Sequence, residues 1–288
     1  MAHELISRED YNFIHKVIGP QLQKSEYADI SINSKTCYIN YCTIDNKDPI
    51  SFIDVIVLVC GFGSGWTGSS LLGYELATLG YQMTMVSMLG YGNSDNPPMF
   101  TWSDFLEDAI YLNDWAKKIF PGKNIHWVGH SMGASIITEL TLINPNIVAS
   151  LTLLDPVGFQ KRNFLELGLK FLANGIGHAR KFSGNPKWKE LKKFLPKEKS
   201  PFTFDRIRQR IRECNILCND HSLKTLRKIL KEKQVRCMYG EKDSLFTRTL
   251  DCDGLIYVPL PHLWHNTTMF GSDLTAKEID NFIFNLIK

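Results

Sequence analysis

The sequence predicts an α/β protein with a mostly parallel β-sheet and an extra helical segment inserted between two strands. Helical patterns of about ten to eighteen residues alternate with short apolar runs, as they do in βαβ crossovers. The alternation stops near residue 157 and resumes with predicted strands at residues 234–239 and 254–259. The earlier predicted strands cover residues 55–60, 82–87, 125–128 and 147–154. The run at 55–60 is continuously apolar, which is typical of a strand buried on both faces.

The composition is that of a folded globular protein. The chain has 288 residues, of which 44% are hydrophobic and 22% are charged, so it is long enough to bury one large core or two modest ones. Its first ten residues carry charges where a signal peptide needs an apolar centre, and no segment approaches the roughly 18 uninterrupted apolar residues of a membrane span. Seven cysteines at scattered positions favour reduced thiols over a disulfide framework. We therefore expect a cytoplasmic protein.

The first half of the chain contains the elements that lead to the parallel sheet. An amphipathic helix is predicted over residues 3–24, and strands at residues 28–32 and 36–43 form a hairpin. A helix at residues 69–79 follows the first buried strand, and another at residues 102–118 has acidic residues in its first half and lysines in its last turn.

The helical segment divides the chain into three parts. We assign residues 1–156 to the N-terminal part of the core, residues 157–233 to a helical cap and residues 234–288 to the C-terminal part of the core. Such a cap is expected to lie over the carboxyl ends of the strands, where ligands bind in open α/β sheets. Its predicted helices cover residues 162–173, 187–194, 204–217 and 222–231, and a closing helix is predicted at residues 274–287.

Ser131 is the candidate nucleophile. It lies in Gly129-His130-Ser131-Met132-Gly133, which fits the G-x-S-x-G nucleophile elbow, where a strained turn exposes a serine between a strand and a helix. An apolar strand precedes the motif and a helix with an apolar face follows it. The two glycines let the strand and helix backbones approach each other without a Cβ clash.

A serine hydroxyl becomes a good nucleophile only when a base accepts its proton and a carboxylate holds that base. Asp243 directly follows the first strand after the helical segment, where the acid is expected in the order Ser, acid, His. Glu241 in the same turn is more typical of a solvated residue. Both His262 and His265 follow the last strand and are candidate bases.

These motifs together resemble the α/β-hydrolase superfamily, and the resemblance extends from about residue 28 to the C-terminus. It includes Gly61-Phe62-Gly63 after the first buried strand and the stretch Gly90-Tyr91-Gly92-Asn93-Ser94-Asp95-Asn96-Pro97. The resemblance implies the α/β-hydrolase fold, with a helical cap inserted after the strand that follows the elbow helix. Two departures, Cys60-Gly61 in place of His-Gly and Ser87 in place of an aspartate, predict altered loop packing and not loss of activity.

The resemblance also implies roles for individual residues. Ser131 matches the nucleophile and Asp243 the acid. Asp155, directly after the strand at 147–154, is at a less common position of the acid in related enzymes and is the alternative. His262 matches the base because the first histidine of the family's His-x-x-His is catalytic; His265 stays open as the alternative. The backbone amides of Phe62 and Met132 match the oxyanion hole.

The expected function is that of a serine hydrolase that cleaves a carboxylic ester, with thioesters as a second possibility, through an acyl-enzyme. An acyltransferase or lyase on the same fold, or a non-catalytic ligand-binding protein, remains open. Gly63-Ser-Gly-Trp-Thr-Gly68 matches G-x-G-x-x-G, but the next strand lacks the acid that binds the ribose in dinucleotide sites. No combination of residues has metal-site spacing. We expect neither a cofactor nor a metal.

Positive charge is concentrated in the helical segment. Residues 161–233 contain 20 Lys and Arg against 7 Asp and Glu, whereas the rest of the chain contains 13 and 23. One interpretation is a solvated helical surface. The other is a surface that recruits an anionic substrate, such as an acyl chain on an acidic carrier, or an anionic membrane, with the apolar residues 164–173 covering an acyl pocket. No nucleic-acid motif is present, so nucleic acid is not an expected partner.

Overall fold

Eight strands form one sheet in the computed structural model, which describes residues 6–45, 55–98, 101, 103–171, 185–243, 245, 250 and 252–287. The strands are β1 Glu26–Ile32, β2 Lys35–Ile44, β3 Ile56–Val59, β4 Met83–Val86, β5 Ile125–His130, β6 Val148–Leu154, β7 Val235–Gly240 and β8 Ile256–Leu260. Their order in the sheet is β1-β2-β4-β3-β5-β6-β7-β8.

The strand directions confirm the predicted fold class. β1 pairs antiparallel with β2, and β2 pairs antiparallel with β4, whereas all the other pairs are parallel. The central strand β3 is buried at every position, as its continuous apolar run predicts. Helices cover the sheet and bury two large apolar clusters between the layers.

Helices connect the parallel strands and also fill the interval between β6 and β7. They are α1 Arg8–Phe13, α2 Gly19–Leu22, α3 Ser70–Thr78, α4 Leu106–Ile119, α5 Met132–Ile143, α6 at residues 164–171, α7 Pro186–Leu191, α8 Ile207–Leu217, α9 His221–Ile229 and α10 Ser272–Ile287. None of the described helices combines the length and the apolar character needed to cross a lipid bilayer. The predicted start of α4 at Trp102 and the predicted end of α6 at residue 173 lie outside the described residues.

The N-terminal helix differs from the single helix predicted over residues 3–24, of which residues 3–5 lie outside the described part. α1 passes into a π-helical turn, Ile14–Ile18, before α2 begins. Pro20 supplies no backbone N–H, so regular α-helical hydrogen bonding cannot continue through this position. The segment still buries Ile14, Ile18 and Leu22 at spacings of four residues, which explains the amphipathic pattern of the sequence.

Between β6 and β7, the described residues form four helices and no strand. This segment contacts the rest of the protein near the carboxyl ends of the strands: Phe171 of α6 stacks on Phe62, with ring centroids 5.0 Å apart, and Phe202 meets the same ring edge-on at 6.1 Å. The inserted helices therefore lie beside the loop that follows β3.

Candidate active site

Ser131 occupies a sharp turn between β5 and α5. Its backbone has φ +54° and ψ −114°, a conformation that L residues rarely adopt and that is a source of local strain. A Cβ at Gly129 would lie 2.6 Å from the Gly133 backbone, and one at Gly133 would lie 2.8 Å from the Cys60 carbonyl oxygen. Glycine at both positions is what allows strand, turn and helix to pack this closely, as the elbow motif predicts.

Three side chains from separate loops form a continuous hydrogen-bonded chain. Ser131 Oγ lies 2.9 Å from His265 Nε2, and His265 Nδ1 lies 2.8 Å from Asp243 Oδ2. Since the carboxylate accepts the proton on Nδ1, Nε2 is left as the acceptor for the serine hydroxyl. The arrangement is that of a nucleophile, a base and an orienting acid.

The structure brings His265, and not His262, into contact with Ser131, so the preference for His262 is wrong on the geometry. His262 is exposed, has φ +63° and donates its backbone N–H to Glu241 Oε2 at 3.3 Å. It belongs to the turn that follows β8. His265 lies three residues further along, where the chain has re-entered the protein and the imidazole is 6% exposed.

Gly240 explains how the loop after β8 reaches Asp243. A Cβ at Gly240 would lie 2.6 Å from the carbonyl oxygens of Leu263 and Trp264, so any side chain there would displace the loop. The Lys242 N–H also donates to the Leu263 carbonyl at 2.8 Å. This close approach places His265 against the carboxylate that follows β7.

Asp155 lies beneath the three side chains and binds the loops that hold them. Its Oδ1 accepts the Gly240 N–H at 2.8 Å, while its Oδ2 accepts the Thr267 N–H at 3.1 Å and the Thr267 hydroxyl at 2.7 Å. It therefore does not take the place of Asp243 as the hydrogen-bond partner of His265. Complete burial, together with the nearby Asp243 carboxylate, raises the pKa of Asp155 well above its usual range.

His130, which precedes the nucleophile, holds the backbone of the base. Its Nε2 donates to the His265 carbonyl oxygen at 2.8 Å and lies 3.7 Å from Asp155 Oδ2. Because a carbonyl can only accept, the proton of His130 resides on Nε2. This contact gives His130 a packing role beside the site.

Nearby charges act on the imidazole of His265 in opposite directions. Burial lowers its pKa because the charged form loses hydration, whereas the Asp243 carboxylate raises it by its charge and by hydrogen bonding. Asp155 adds to the increase and Arg162 opposes it. The net effect is a pKa above the ordinary histidine value, which favours an imidazole that accepts the serine proton.

Phe62 and Met132 both adjoin Ser131. Met132 is the first residue of α5, so its N–H has no acceptor within the helix. Phe62 follows Gly61, where a Cβ would lie 2.9 Å from Ser131 Cβ. The two predicted oxyanion residues thus flank the nucleophile from two different loops.

A cavity of about 240 Å³ opens beside Ser131. Phe62, Phe171, Leu245 and Met269 contribute apolar walls, and the polar lining includes Asn266, Thr268 and residues of the loop at 61–69. The volume lies near the lower end of the roughly 300–1,000 Å³ of ligand pockets. The cavity suits a small, mainly apolar group next to the serine.

The glycine-rich segment that matches G-x-G-x-x-G belongs to this site. Residues 63–65 lead into the short 3₁₀ helix Trp66–Ser69, which contains the rest of the motif. Gly63, Ser64 and Gly68 line the cavity next to Ser131. Within the described parts of the chain, no group of three or more His, Cys, Asp or Glu side chains is placed to hold a metal ion.

The family model described as alpha/beta hydrolase fold matches residues 54–245. The chain belongs to the α/β-hydrolase fold family. In sequence, this α/β-hydrolase-fold protein is similar to the abhydrolase domain-containing protein abhd-5.2 of Caenorhabditis elegans, with 26% identity over 161 residues. The match covers 54% of this chain and 33% of that protein, so it spans about a third of the relative's length.

Solved structures of this fold superimpose on most of the chain. A thermophilic esterase from Thermogutta terrifontis is 14% identical with a TM-score of 0.69, over 91% of this chain and 99% of that one. The thioesterase domain from the curacin biosynthetic pathway is 18% identical with a TM-score of 0.65, over 88% and 99%. At these identities the likeness shows the fold alone.

Two departures of this α/β-hydrolase-fold protein from the family pattern serve loop packing. Cys60 Sγ lies 3.2 Å from Ser69 Oγ, and burial raises the pKa of the Cys60 thiol to about 12, so the thiol stays neutral. Ser87 Oγ accepts the Trp66 N–H at 2.8 Å. Both contacts hold the loop at residues 60–69, part of which lines the cavity.

Sequence reasoning missed the supporting roles of Gly240, Thr267 and His130. Gly240 ends the strand that precedes Asp243, and Thr267 was not singled out. A signal does exist, because a glycine at the end of a buried strand indicates close backbone approach. Nothing in the sequence identifies what approaches it.

Proposed function

We propose that this protein is a serine hydrolase that cleaves a carboxylic ester or thioester through an acyl-enzyme. The observation that supports this most is the hydrogen-bonded chain from Asp243 through His265 to Ser131, with the serine at the edge of a partly apolar cavity. A purely structural serine needs neither an acceptor imidazole nor a buried carboxylate behind it.

In the proposed mechanism, His265 Nε2 accepts the hydroxyl proton as Ser131 Oγ attacks the acyl carbon. The Asp243 carboxylate keeps the proton on Nδ1 and stabilises the imidazolium. The amides of Phe62 and Met132 donate to the oxygen that becomes negative. The imidazolium then protonates the leaving alcohol or thiol, and a water molecule that gives its proton to His265 releases the acid and restores the hydroxyl.

We also propose that residues 157–233 act as a cap over the acyl site. Phe171 lines the cavity, and both Phe171 and Phe202 pack against Phe62. Because these apolar rings surround the residue after Gly61, they are suited to hold the acyl part of a substrate away from water.

The test uses a fluorophosphonate probe and p-nitrophenyl esters of increasing acyl length, with Ser131→Ala as the matched control. We expect covalent labelling at Ser131 and turnover that is highest for short to medium chains, because the cavity is small. An unlabelled wild-type protein with no turnover of any oxygen ester or thioester would sink the proposal. If that protein still bound a fatty acid, a ligand-binding role would replace it.

Product analysis separates hydrolysis from acyl transfer. With a competing alcohol or amine present, a hydrolase releases mainly the free acid, whereas an acyltransferase releases mainly the new ester or amide. Predominant transfer at modest acceptor concentration would overturn the hydrolase assignment while retaining Ser131 as the nucleophile.

A further inference from the structure

The face of α8 that points into the protein carries charged groups in contact with one another. Arg210 and Glu213 are 2% and 1% exposed, and Arg210 Nη1 lies 3.2 Å from Glu213 Oε2. Gln209 Nε2 donates to Glu213 Oε1 at 3.0 Å and to the Leu89 carbonyl at 2.8 Å. Burying an ion pair costs hydration free energy, so such pairs seldom add to stability.

Tyr91, in the glycine-rich loop after β4, joins this pair. Its hydroxyl donates to Glu213 Oε2 at 2.5 Å, and the Arg210 guanidinium lies 3.6 Å from the centre of its ring. The Arg210 Nη2 also donates to the Gly90 carbonyl at 3.4 Å. Arg210, Glu213 and Tyr91, which we call the α8 cluster, thus form one buried unit between the inserted helices and the core.

The α8 cluster contacts both residues that flank Ser131. The Tyr91 hydroxyl lies 3.7 Å from the Met132 sulfur, and the Arg210 guanidinium lies 5.8 Å from the centre of the Phe62 ring. Met132 and Phe62 reach the nucleophile from different loops, and nothing in their own sequence fixes the distance between the two amides. Phe62 and Met132 therefore contact two members of one cluster, Arg210 and Tyr91, which also contact each other.

We propose that the α8 cluster positions the amides of Phe62 and Met132, so that the inserted helices set the geometry of the oxyanion hole. This proposal rests on the proposed function, since it assigns a role within that site. Tyr91 contacts Met132, Arg210 contacts Phe62, and Glu213 binds both Tyr91 and Arg210, while none of the three lines the cavity, so they are positioning residues. Amides held rigidly before the reaction stabilise the negative oxygen without reorganising as it forms.

The charge environment of the cluster fits a rigid, water-free unit. Glu213 faces Arg210, Arg212 and Asp108, and the hydrogen-bonding groups of Gln209 and Tyr91 complete its surroundings. Burial, opposed by Arg210 and Arg212, raises the pKa of Glu213 to about 8. Arg210 Nε has no hydrogen-bond partner among the described residues, which leaves the aromatic faces of Tyr91 and Phe62 as major contacts of the guanidinium.

The test replaces both charges together, Arg210→Met with Glu213→Leu, because removing one partner would leave the other buried and unpaired. Tyr91→Phe is a milder second variant that deletes only the hydroxyl. In each, we expect kcat to fall roughly 10- to 100-fold, less than the ~10²–10³ for loss of a whole oxyanion donor, with KM within about twofold. The affinity for a trifluoromethyl ketone analogue should fall by the same factor as kcat/KM, because the analogue reproduces the tetrahedral state.

An ion pair between another inserted helix and the core provides the control. Lys187 Nζ of α7 lies 3.2 Å from Glu75 Oε1 of α3, and neither residue lines the cavity beside Ser131. The double variant Lys187→Met with Glu75→Leu should keep the wild-type kcat and analogue affinity. If it lost kcat as the α8-cluster variant does, a general effect of losing an ion pair between the inserted helices and the core would replace the proposal.

The outcomes separate this proposal from the proposed function. Wild-type protein that the fluorophosphonate does not label removes both. Labelled wild-type protein, together with α8-cluster variants that are folded by circular dichroism and retain kcat and analogue affinity, overturns the positioning role alone. If the double variant does not fold, Tyr91→Phe decides: unchanged kcat and analogue affinity reject the proposal.

Discussion

His265 lies between Asp243 and Ser131, within hydrogen-bond distance of both, while His262 stays in the exposed turn three residues earlier. At the scale of single residues, these two histidines offer a matched comparison. They are the same residue type in the same loop, and they differ in whether the side chain contacts Ser131.

We predict that His265→Asn lowers kcat/KM about 10³-fold or more, because loss of the base leaves only binding and oxyanion stabilisation. His262→Asn should change kcat/KM less than about threefold, since asparagine tolerates the positive φ and the contact to Glu241 uses the backbone. Ester hydrolysis at saturating and limiting substrate measures both. The reverse ranking would restore His262 as the base.

The pH dependence of activity follows from the raised pKa of His265. The base must be neutral to accept a proton, so kcat/KM should rise with pH through the pKa of the imidazole in the free protein. Because Asp243 and Asp155 raise this pKa, the midpoint should lie above the ordinary histidine value of about 6.5. A midpoint clearly below that value contradicts the electrostatic account.

Asp155→Asn tests the carboxylate beneath the site. Both of its oxygens accept hydrogen bonds from N–H or O–H donors, so the amide group of asparagine would point an N–H at one of these donors. We therefore expect a loss of about 1–3 kcal/mol in the free energy of unfolding. Removing the negative charge should also move the midpoint of the kcat/KM profile to lower pH. Urea unfolding and pH profiles measure the two effects, and an unchanged midpoint would argue against a charged Asp155.

At this scale, sequence reasoning named the three residue types but assigned the wrong histidine. Ser131 and Asp243 follow directly from strand ends, whose positions the apolar runs predict. The base comes from a loop, and periodicity does not specify how a loop folds back. The deciding contacts, at Gly240 and at Asp155, join residues that are far apart in sequence, so no local pattern could distinguish His262 from His265.

At the scale of elements, the turn from β5 to α5 depends on the absence of a side chain at Gly133. We predict that Gly133→Ala destabilises the protein by about 1–3 kcal/mol, because the added methyl group would overlap the backbone of β3 at Val59 and Cys60. Thermal unfolding measures the loss, and fluorophosphonate labelling reports displacement of Ser131.

Gly168 in α6 is the control for this substitution. A Cβ there would meet nothing within 4 Å, and Gly168 does not have a positive φ. Gly168→Ala should therefore be neutral or stabilising by about 0.5–1 kcal/mol through helix propensity. Equal destabilisation by both substitutions would show that the elbow glycine has no special steric role.

Most elements were predictable because burial determines their pattern. The parallel strands agree with their apolar runs to within one or two residues at most ends, because a strand buried on both faces carries mostly apolar side chains along its length. The N-terminal helix was less predictable, because the position of a π-helical turn depends on packing and not on propensity. The helical content between β6 and β7 was predicted, but the burial of its arginines was not.

At the scale of the whole molecule, the positively charged side chains of residues 161–233 include a buried group and an exposed group. Arg206, Arg210 and Arg212 are at most 2% exposed, and they bind carbonyls of the glycine-rich loop, the Glu213 carboxylate and Asp108. Their charge is used within the fold. Many lysines of the segment stay exposed, as do Arg208 and Arg227, and such exposed charges are the ones available to attract an anionic substrate or surface.

Lys197 and Lys199 are the exposed lysines to test, because Glu198 between them accepts the Thr67 N–H at 3.3 Å, beside the loop that lines the cavity. We predict that Lys197→Gln with Lys199→Gln lowers kcat/KM for an acyl-coenzyme A thioester roughly threefold or more at low salt, with kcat unchanged. The effect should disappear at high salt and be absent for a neutral ester.

Lys224→Gln with Lys228→Gln provides the control on α9, which packs on α5 and does not line the cavity. Equal effects of the two double variants would indicate attraction by overall charge. No effect of either at low salt would leave the exposed lysines as a solvated surface only.

The order of the strands also has a consequence during synthesis. Ser131 Oγ and its partner His265 are 134 residues apart in sequence, and the inserted helices and β8 lie between them. A chain that leaves the ribosome N-terminus first can fold the elbow early, yet the serine has no base until the edge strand β8 has paired with β7. The proposed hydrolase activity would therefore be absent from a growing polypeptide until β8 has paired with β7.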